Sequence, residues 1–384
     1  MTSVKLSVAI PYKQRLDNLR LVFEGLAHQT MDRSQFEVVV GAMEYCEDYV
    51  ALCREFTKEI NIRSVLSAEP FEIPHARNLA MRGALGQVVV QMDADTLLPP
   101  NALQNLWDRH FAFGQNSCVV GQVVGYGNNE DGDVDAVEVQ PYAHYVPLLD
   151  EIGASRGDSK DPRFQADHVI PWAFAWTGLV ALPMAVVRDH DLFFDQDFRG
   201  WGVDDLEWAY RVCASGTPII LREDVYAIHL PHRRDSAANR ETEKGNYRRF
   251  LRKWPRPDVE LAYAFGDVNA NSLFLDHLDH VRRQAGNLGR TLGAVRTTVD
   301  GSDVLFLGVI LDADLRVADP RLGPLLDAGQ RTDVLELLGL ALPYENGDVD
   351  ECRLLPTLSG FPTRYGEAIG AEAERVAKRV VRID

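Results

Sequence analysis

The sequence predicts an α/β protein: a Rossmann-like, mostly parallel sheet flanked by helices, followed by a mainly helical C-terminal appendage. Three observations carry that reading. Short runs of β-branched and apolar residues alternate with stretches of helical apolar spacing. Glycine and proline punctuate them, with Pro11 closing the first strand and Gly86 stopping a helix. The run Gln87-Val88-Val89-Val90-Gln91-Met92 leads straight into Asp93-Ala94-Asp95, so two carboxylates arrive together at a strand end.

Leu6-Ser7-Val8-Ala9-Ile10-Pro11 reads as the first strand, and Leu16, Leu19, Val22, Phe23 and Leu26 then recur at helical spacing. Phe36 to Gly41 is a second strand and Ile62 to Leu66 a third. Ala76 to Leu85 is a helix that ends at Gly86 and feeds the aspartate-bearing strand. This alternation implies right-handed βαβ units and a mononucleotide-binding half. Further on, Asp204 and Asp205 begin a helix whose inward side is Leu206, Tyr210 and Cys213 and which stops at Gly216. Val225 to His232 is a strand ending in two histidines.

Lys253-Trp254-Pro255-Arg256-Pro257 breaks an amphipathic helical stretch. After it, Val259 to Gly293 reads as helical and Asp303 to Ile310 as a buried strand or helix. Gly370 to Val381 reads as a terminal amphipathic helix, whose apolar stripe needs a partner surface, within the chain or in a homo-oligomer.

The formal net charge of −17 argues against a nucleic-acid partner, which needs clustered Lys and Arg. One basic stretch, Arg233-Arg234 and Arg248-Arg249 to Arg252-Lys253, suits a phosphate or a solvated helix. Five cysteines, an odd and scattered set, fit a reducing compartment. Cys46 and Cys53 are spaced as helical packing or a metal site would space them. No integral membrane segment and no signal peptide is apparent, so a cytoplasmic protein is expected. The polar stretch from about Asn128 to Asp161 reads as an active-site loop or a linker.

Acids at the carboxyl edge of a parallel sheet are placed to hold a hard divalent cation, which commonly bridges carboxylates to the phosphates of a nucleotide. Two aspartates before Pro99-Pro100 also fit a solvated turn. The order of parts adds to the motif. Ser-Val-Ala-Ile-Pro comes first, His75-Ala76-Arg77-Asn78 next, then Asp93-Ala94-Asp95. Trp176-Thr177-Gly178 and Phe193 through Gly200-Trp201-Gly202-Val203-Asp204-Asp205 follow. In this order the chain, from about residue 3 to 250, resembles the inverting glycosyltransferases of family 2, of the GT-A fold. The Gly-Trp-Gly-x-Asp-Asp segment is similar to one shared with galactosyl- and N-acetylgalactosaminyltransferases.

The resemblance implies a GT-A domain over 1–254, with a donor half to about 120 and an acceptor half beyond, and an appendage over 255–384 that shapes the acceptor side or an oligomer interface. It implies a UDP-sugar donor, a hexose or N-acetylhexosamine, and Mn2+ or Mg2+. The acceptor is unidentified, with a small or carrier-tethered molecule preferred. Asp95 would touch the metal and Asp93 would orient ribose or water, with His229 as a further ligand and His232 in reserve. Asp205 would be the base that takes the acceptor proton and Asp204 would hold hydroxyls, although acids at a helix start also serve as caps. Pro11, Arg77 and Asn78 match positions that contact base and ribose, and Arg77 also suits an ordinary ion pair. Many members follow the second strand with an Asp-Asp-Gly-Ser turn, where this chain has Gly41-Ala42-Met43-Glu44-Tyr45, so Glu44 stands in for the base-reading acid. Gly200 and Gly202 permit close approach, and Trp201 between them offers an aromatic face to a sugar. Two other readings are a sugar-phosphate nucleotidyltransferase, disfavoured by the lack of a Gly-rich, Lys-bearing loop after the first strand, and a catalytically silent sugar-binding or scaffolding protein.

Overall fold

The apolar runs at the start of the chain pair in parallel, as uninterrupted β-branched strands buried on both faces do. In the computed structural model, which describes residues 4–125, 139–155, 159, 161–232, 236–286, 289–325 and 332–383, Leu6–Tyr12 (β1) has Phe36–Ala42 (β2) on one side. Ile62–Leu66 (β3) borders β2, and Val88–Met92 (β4) lies on the other side of β1. Leu16–Ala27 (α1), Glu47–Phe56 (α2) and Ile73–Gly83 (α3) make the crossovers. The order β3-β2-β1-β4 therefore reverses between β1 and β4, where an open sheet parts at its carboxyl edge to form a ligand crevice.

The same sheet continues through antiparallel additions. Thr96–Leu97 (β5) and Ala102–Leu106 (α4) follow β4, then Cys118–Val124 (β6) and Tyr142–Ala154 (α5). Leu179–Pro183 (β7), Met184–Asp189 (α6), Asp204–Ala214 (α7), Ile219–His229 (β8) and Ser236–Lys253 (α8) complete the run. The eight strands lie in the order β3-β2-β1-β4-β7-β6-β8-β5. β7 is antiparallel to both β4 and β6, and β5 is antiparallel to β8.

Val8, Ile10, Phe23, Val38, Val40, Val90 and Met92 sit in the core on one face of this sheet. Each such side chain contributes about 1.5–3 kcal/mol by leaving water. On β2, a Cβ at Gly41 would lie 2.0 Å from the Ala76 carbonyl oxygen, so only glycine lets α3 lie this close. The buried face of α7 is Leu206, Trp208, Ala209 and Val212, while Tyr210 and Cys213, expected inside, are partly exposed. Trp208 sets that rotation. Its ring stacks on Phe194 at 5.2 Å and its indole N–H donates to the Leu192 carbonyl at 2.9 Å.

The chain divides into two compact units, Met1–Ala166 with Pro171–Glu243, and Asp167–Ile170 with Lys244–Asp384. The division falls inside α8, ahead of the proline break at 255–257. Pro257–Phe265 (α9) and Asp267–Ala285 (α10) realise the expected helical stretch. The second unit is nonetheless not mainly helical. Thr291–Val299 (β9), Ser302–Leu311 (β10), Asp333–Leu335 (β11), Glu351–Leu354 (β12) and Val380–Arg382 (β13) form a sheet in the order β11-β9-β10-β12-β13. The last helix, Thr363–Val376 (α11), ends before β13. β9 and β10 are an antiparallel hairpin turned at Asp300-Gly301, both at positive φ, as a right-twisted two-residue hairpin demands. Glu260, fully buried on α9, accepts the amide N–H groups of Leu338, Gly339 and Leu340 at 2.7–2.9 Å and pins that loop. No helix among the described residues is long and apolar enough to cross a membrane.

Candidate active site

The turn after β4 brings Asp95 to two histidines. Thr96 N–H donates to the Asp93 carbonyl at 3.1 Å, and β5 then pairs with β8 so that Thr96 lies opposite His229. Leu230 N–H donates to the Asp95 carbonyl at 2.7 Å and closes the arrangement. As a result Asp95 Oδ1 is 3.7 Å from His229 Nε2 and Asp95 Oδ2 is 3.3 Å from His232 Nε2. Asn18 on α1 donates to the Pro231 carbonyl at 3.1 Å and steadies the loop between the histidines. Arg15, at the start of α1, donates to Asp95 Oδ2.

Asp95, His229 and His232 are all buried, and their ligand atoms lie within 4.8 Å of one another. Among the described residues no other group of His, Cys, Asp and Glu gathers in this way. Asp95 Oδ1 is shielded from solvent and has no hydrogen-bond partner, a state that costs free energy unless a cation answers it. One carboxylate and two imidazoles fit a divalent first-row metal. Cys46 is no ligand here; its sulfur accepts the Tyr49 N–H at the start of α2.

A second cluster joins the other acids. Arg77, buried on α3, donates to Asp204 Oδ2 at 2.5 Å and to Asp93 Oδ1 at 3.3 Å, and lies over the Phe194 ring. Burial raises the Asp204 carboxyl above its ordinary range, with Arg77 opposing the shift. Asp205 is pushed up to about 7, first by burial and then by the charge of Asp204. Its oxygens face the Thr177 N–H at 3.5 Å and the Leu206 N–H at 2.9 Å. A carboxylate tuned to neutrality can exchange protons at working pH.

Arg77 and Asn78, expected to contact base and ribose, are both buried. The Asn78 side chain donates to the Phe194 carbonyl at 2.8 Å and accepts the Phe194 N–H at 2.7 Å. It clasps the segment that precedes α7. Pro11 is partly buried in β1, opposite Gly41. Glu44 braces the loop after β1 by accepting the Gln14 N–H at 2.8 Å.

Gly200 and Gly202 adopt φ of 68° and 90°, which glycine tolerates. Glu72 accepts the Gly200 N–H at 3.0 Å, and Thr242 Oγ1 holds both the N–H and the carbonyl of Trp201, whose side chain remains exposed. Val203 is a β-branched residue at φ 71°, a strained conformation immediately before Asp204 and Asp205. Sequence reasoning missed Arg15 and Glu72 and gave Thr177, quoted in its motif, no role, because nothing in their spacing ties them to Asp95, the Gly200 N–H and Asp205. In the second unit Arg248 and Arg252 each pair with Glu345 at 3.4 Å. Arg233 and Arg234, and residues 128–138, 156–158 and 160 of the polar stretch, lie outside the described residues, while Tyr142–Ala154 of that stretch forms α5 rather than a loop or linker.

Residues 7–162 match the family model described as Glycosyl transferase family 2. The protein is an enzyme, a glycosyltransferase, and its sheet is that of the GT-A fold. It is 28% identical to a protein named Validoxylamine A glucosyltransferase from Streptomyces hygroscopicus subsp. jinggangensis (strain 5008), over 98% of this chain and 96% of that one. The protein of the same name from Streptomyces hygroscopicus subsp. limoneus is also 28% identical, over 98% of this chain and 89% of its own. Among solved structures, S. aureus TarS 1-349 in complex with UDP-GlcNAc is similar at TM-score 0.48 and 15% identity, over 71% of this chain and 73% of that chain.

Proposed function

We propose that this chain is a metal-dependent, inverting hexosyltransferase that moves a hexose, glucose first among the candidates, from a UDP-sugar to a soluble small-molecule acceptor. The observation that carries the reading is the gathering of Asp95, His229 and His232 beside a separate, Arg77-linked set of Asp93 and Asp204 next to Asp205, at the carboxyl edge of a nucleotide-binding sheet. Two relatives that match nearly the whole chain are named for glucosyl transfer to validoxylamine A, which supports both glucose and a discrete acceptor.

Asp95, His229 and His232 would hold the cation. Imidazole ligands favour Mn2+ over Mg2+, which prefers oxygen and water. Such a cation, when bound, neutralises the departing diphosphate. Asp93, held by Arg77, is left to orient the ribose. Asp205 takes the acceptor proton, and Asp204 keeps a second acid beside it under the control of Arg77. Trp201, in the Gly-Trp-Gly-x-Asp-Asp segment likened to galactosyltransferases, offers an aromatic face to a sugar ring. Pro11 and Glu44 border the base pocket.

Thermal unfolding with a panel of nucleoside diphosphates in Mn2+ tests the donor. A ligand that binds the folded state alone raises Tm. UDP is expected to do so, and GDP and ADP are not. An equal response to GDP would refute the uridine assignment, and no response to any of them would refute the donor site. Consumption of UDP-glucose over UDP-galactose and UDP-GlcNAc then tests the sugar.

A further inference from the structure

We propose that Arg15 is a built-in counter-ion that competes with the divalent cation for Asp95 and thereby makes cation binding depend on the arrival of a diphosphate. The inference rests on the reading of Asp95, His229 and His232 as the metal site. Its starting point is an oxygen with two claimants. Arg15 donates to Asp95 Oδ2, the same atom that lies 3.3 Å from His232 Nε2.

The two partners differ in freedom. The Asp95 side chain is 1% exposed, whereas that of Arg15 is 41% exposed, so the guanidinium can swing away and the carboxylate cannot. The backbone aims the arginine. Gln14 and Arg15 are consecutive non-glycine residues at φ 57° and 58°, a left-handed pair that L side chains rarely adopt. Glu44 holds the first by accepting its N–H, and the Arg15 carbonyl accepts the Leu19 N–H at 3.0 Å to start α1. A loop that needed only to turn would use glycine or asparagine at these positions. Strain kept next to a ligand-facing carboxylate points to a function for the residue so placed.

A guanidinium on Asp95 repels a dication approaching the same carboxylate. A diphosphate changes the balance, because its oxygens match the planar fork of arginine. Arg15 then has a second partner, and Asp95 is released to the cation. By linkage the effect is reciprocal, so Mn2+ strengthens UDP binding by the factor with which UDP strengthens Mn2+ binding.

Calorimetric titration of the full chain with Mn2+, in the absence and presence of UDP, tests this without reference to turnover. In Arg15→Met, Mn2+ alone should bind roughly 10-fold tighter than in the wild type, and the enhancement by UDP should shrink by a similar factor, within the usual span of coupling between sites. Arg15→Lys keeps the charge but not the fork, so Mn2+ alone should bind as in the wild type while the enhancement by UDP shrinks. Asp95→Asn and Asp95→Ala should lose Mn2+ binding. An Arg15→Met protein with unchanged or weaker Mn2+ affinity, while the Asp95 variants have lost theirs, would overturn the role of Arg15 and leave the metal site standing. Mn2+ binding that survives in both Asp95 variants would overturn the metal site and the inference together.

Discussion

Asp93 and Asp95, separated by one residue at the end of a single strand, face unlike surroundings. Asp95 is enclosed by His229, His232 and Arg15 and keeps one oxygen without a hydrogen bond. Asp93 is more exposed, and Arg77 joins it to Asp204 on α7. The backbone explains the divergence. Asp95 is drawn into the pairing of β5 with β8, while Asp93 stays in the turn after β4 and meets α3. The proposed function accordingly makes Asp95 a cation ligand, and Asp93 shares Arg77 with Asp204.

The largest effect that would sharpen this contrast is on transfer. Asp95→Ala should lower turnover by about 1,000-fold or more, the scale of losing charge stabilisation on a leaving group. Asp93→Ala should cost roughly 10- to 100-fold, as loss of a supporting partner does. Steady-state kinetics at saturating Mn2+ measure both, and equal losses would erase the distinction.

Asp205→Asn keeps the shape and the helix-start position of its parent while removing basicity. Transfer should fall by about 100-fold or more, the usual span for a general base. Donor affinity should hold. Unaltered turnover would leave Asp205 as a helix cap.

The contrast was only partly legible in the sequence. β1, β2 and β4 read correctly because each is largely buried and shows as an apolar run, the half-exposed edge strand β3 showed through Ile62, Val65 and Leu66, and the acids at the end of β4 marked the sheet edge. His229 reads as a ligand with His232 in reserve, and the pairing of β5 with β8 that brings both to Asp95 leaves no mark in spacing. The ion pairs of Arg77 with Asp93 and Asp204 and the clasp of Asn78 on Phe194 leave no mark in a motif, and the stacking of Trp208 on Phe194 turns α7 away from the expected face. In the second unit the apolar run from Asp303 to Ile310 reads equally as strand or helix, and its antiparallel pairing with β9 makes it a strand.

A smaller effect concerns pH. Asp205, pushed up to about 7, must be deprotonated to act, so kcat/KM should rise with pH through about 7 and level off above it. Folding stability carries the opposite sign. A carboxyl whose folded pKa lies above its unfolded value binds more protons when folded, so its contribution to stability falls as pH rises from about 4 to 7. Asp204→Asn removes the neighbouring charge that raises Asp205, and should move the acidic limb of the rate profile to lower pH. A limb that stays in place would separate the two acids.

The central claim is that the diphosphate is held through a cation on Asp95, His229 and His232. Calorimetric titration of the full chain with UDP, once in Mn2+ and once in chelator, tests it most directly. Without a cation the acids repel the diphosphate, so UDP affinity should fall by at least about 10-fold, within the range expected when two ligands are coupled. Equal affinity in Mn2+ and in chelator would contradict the account.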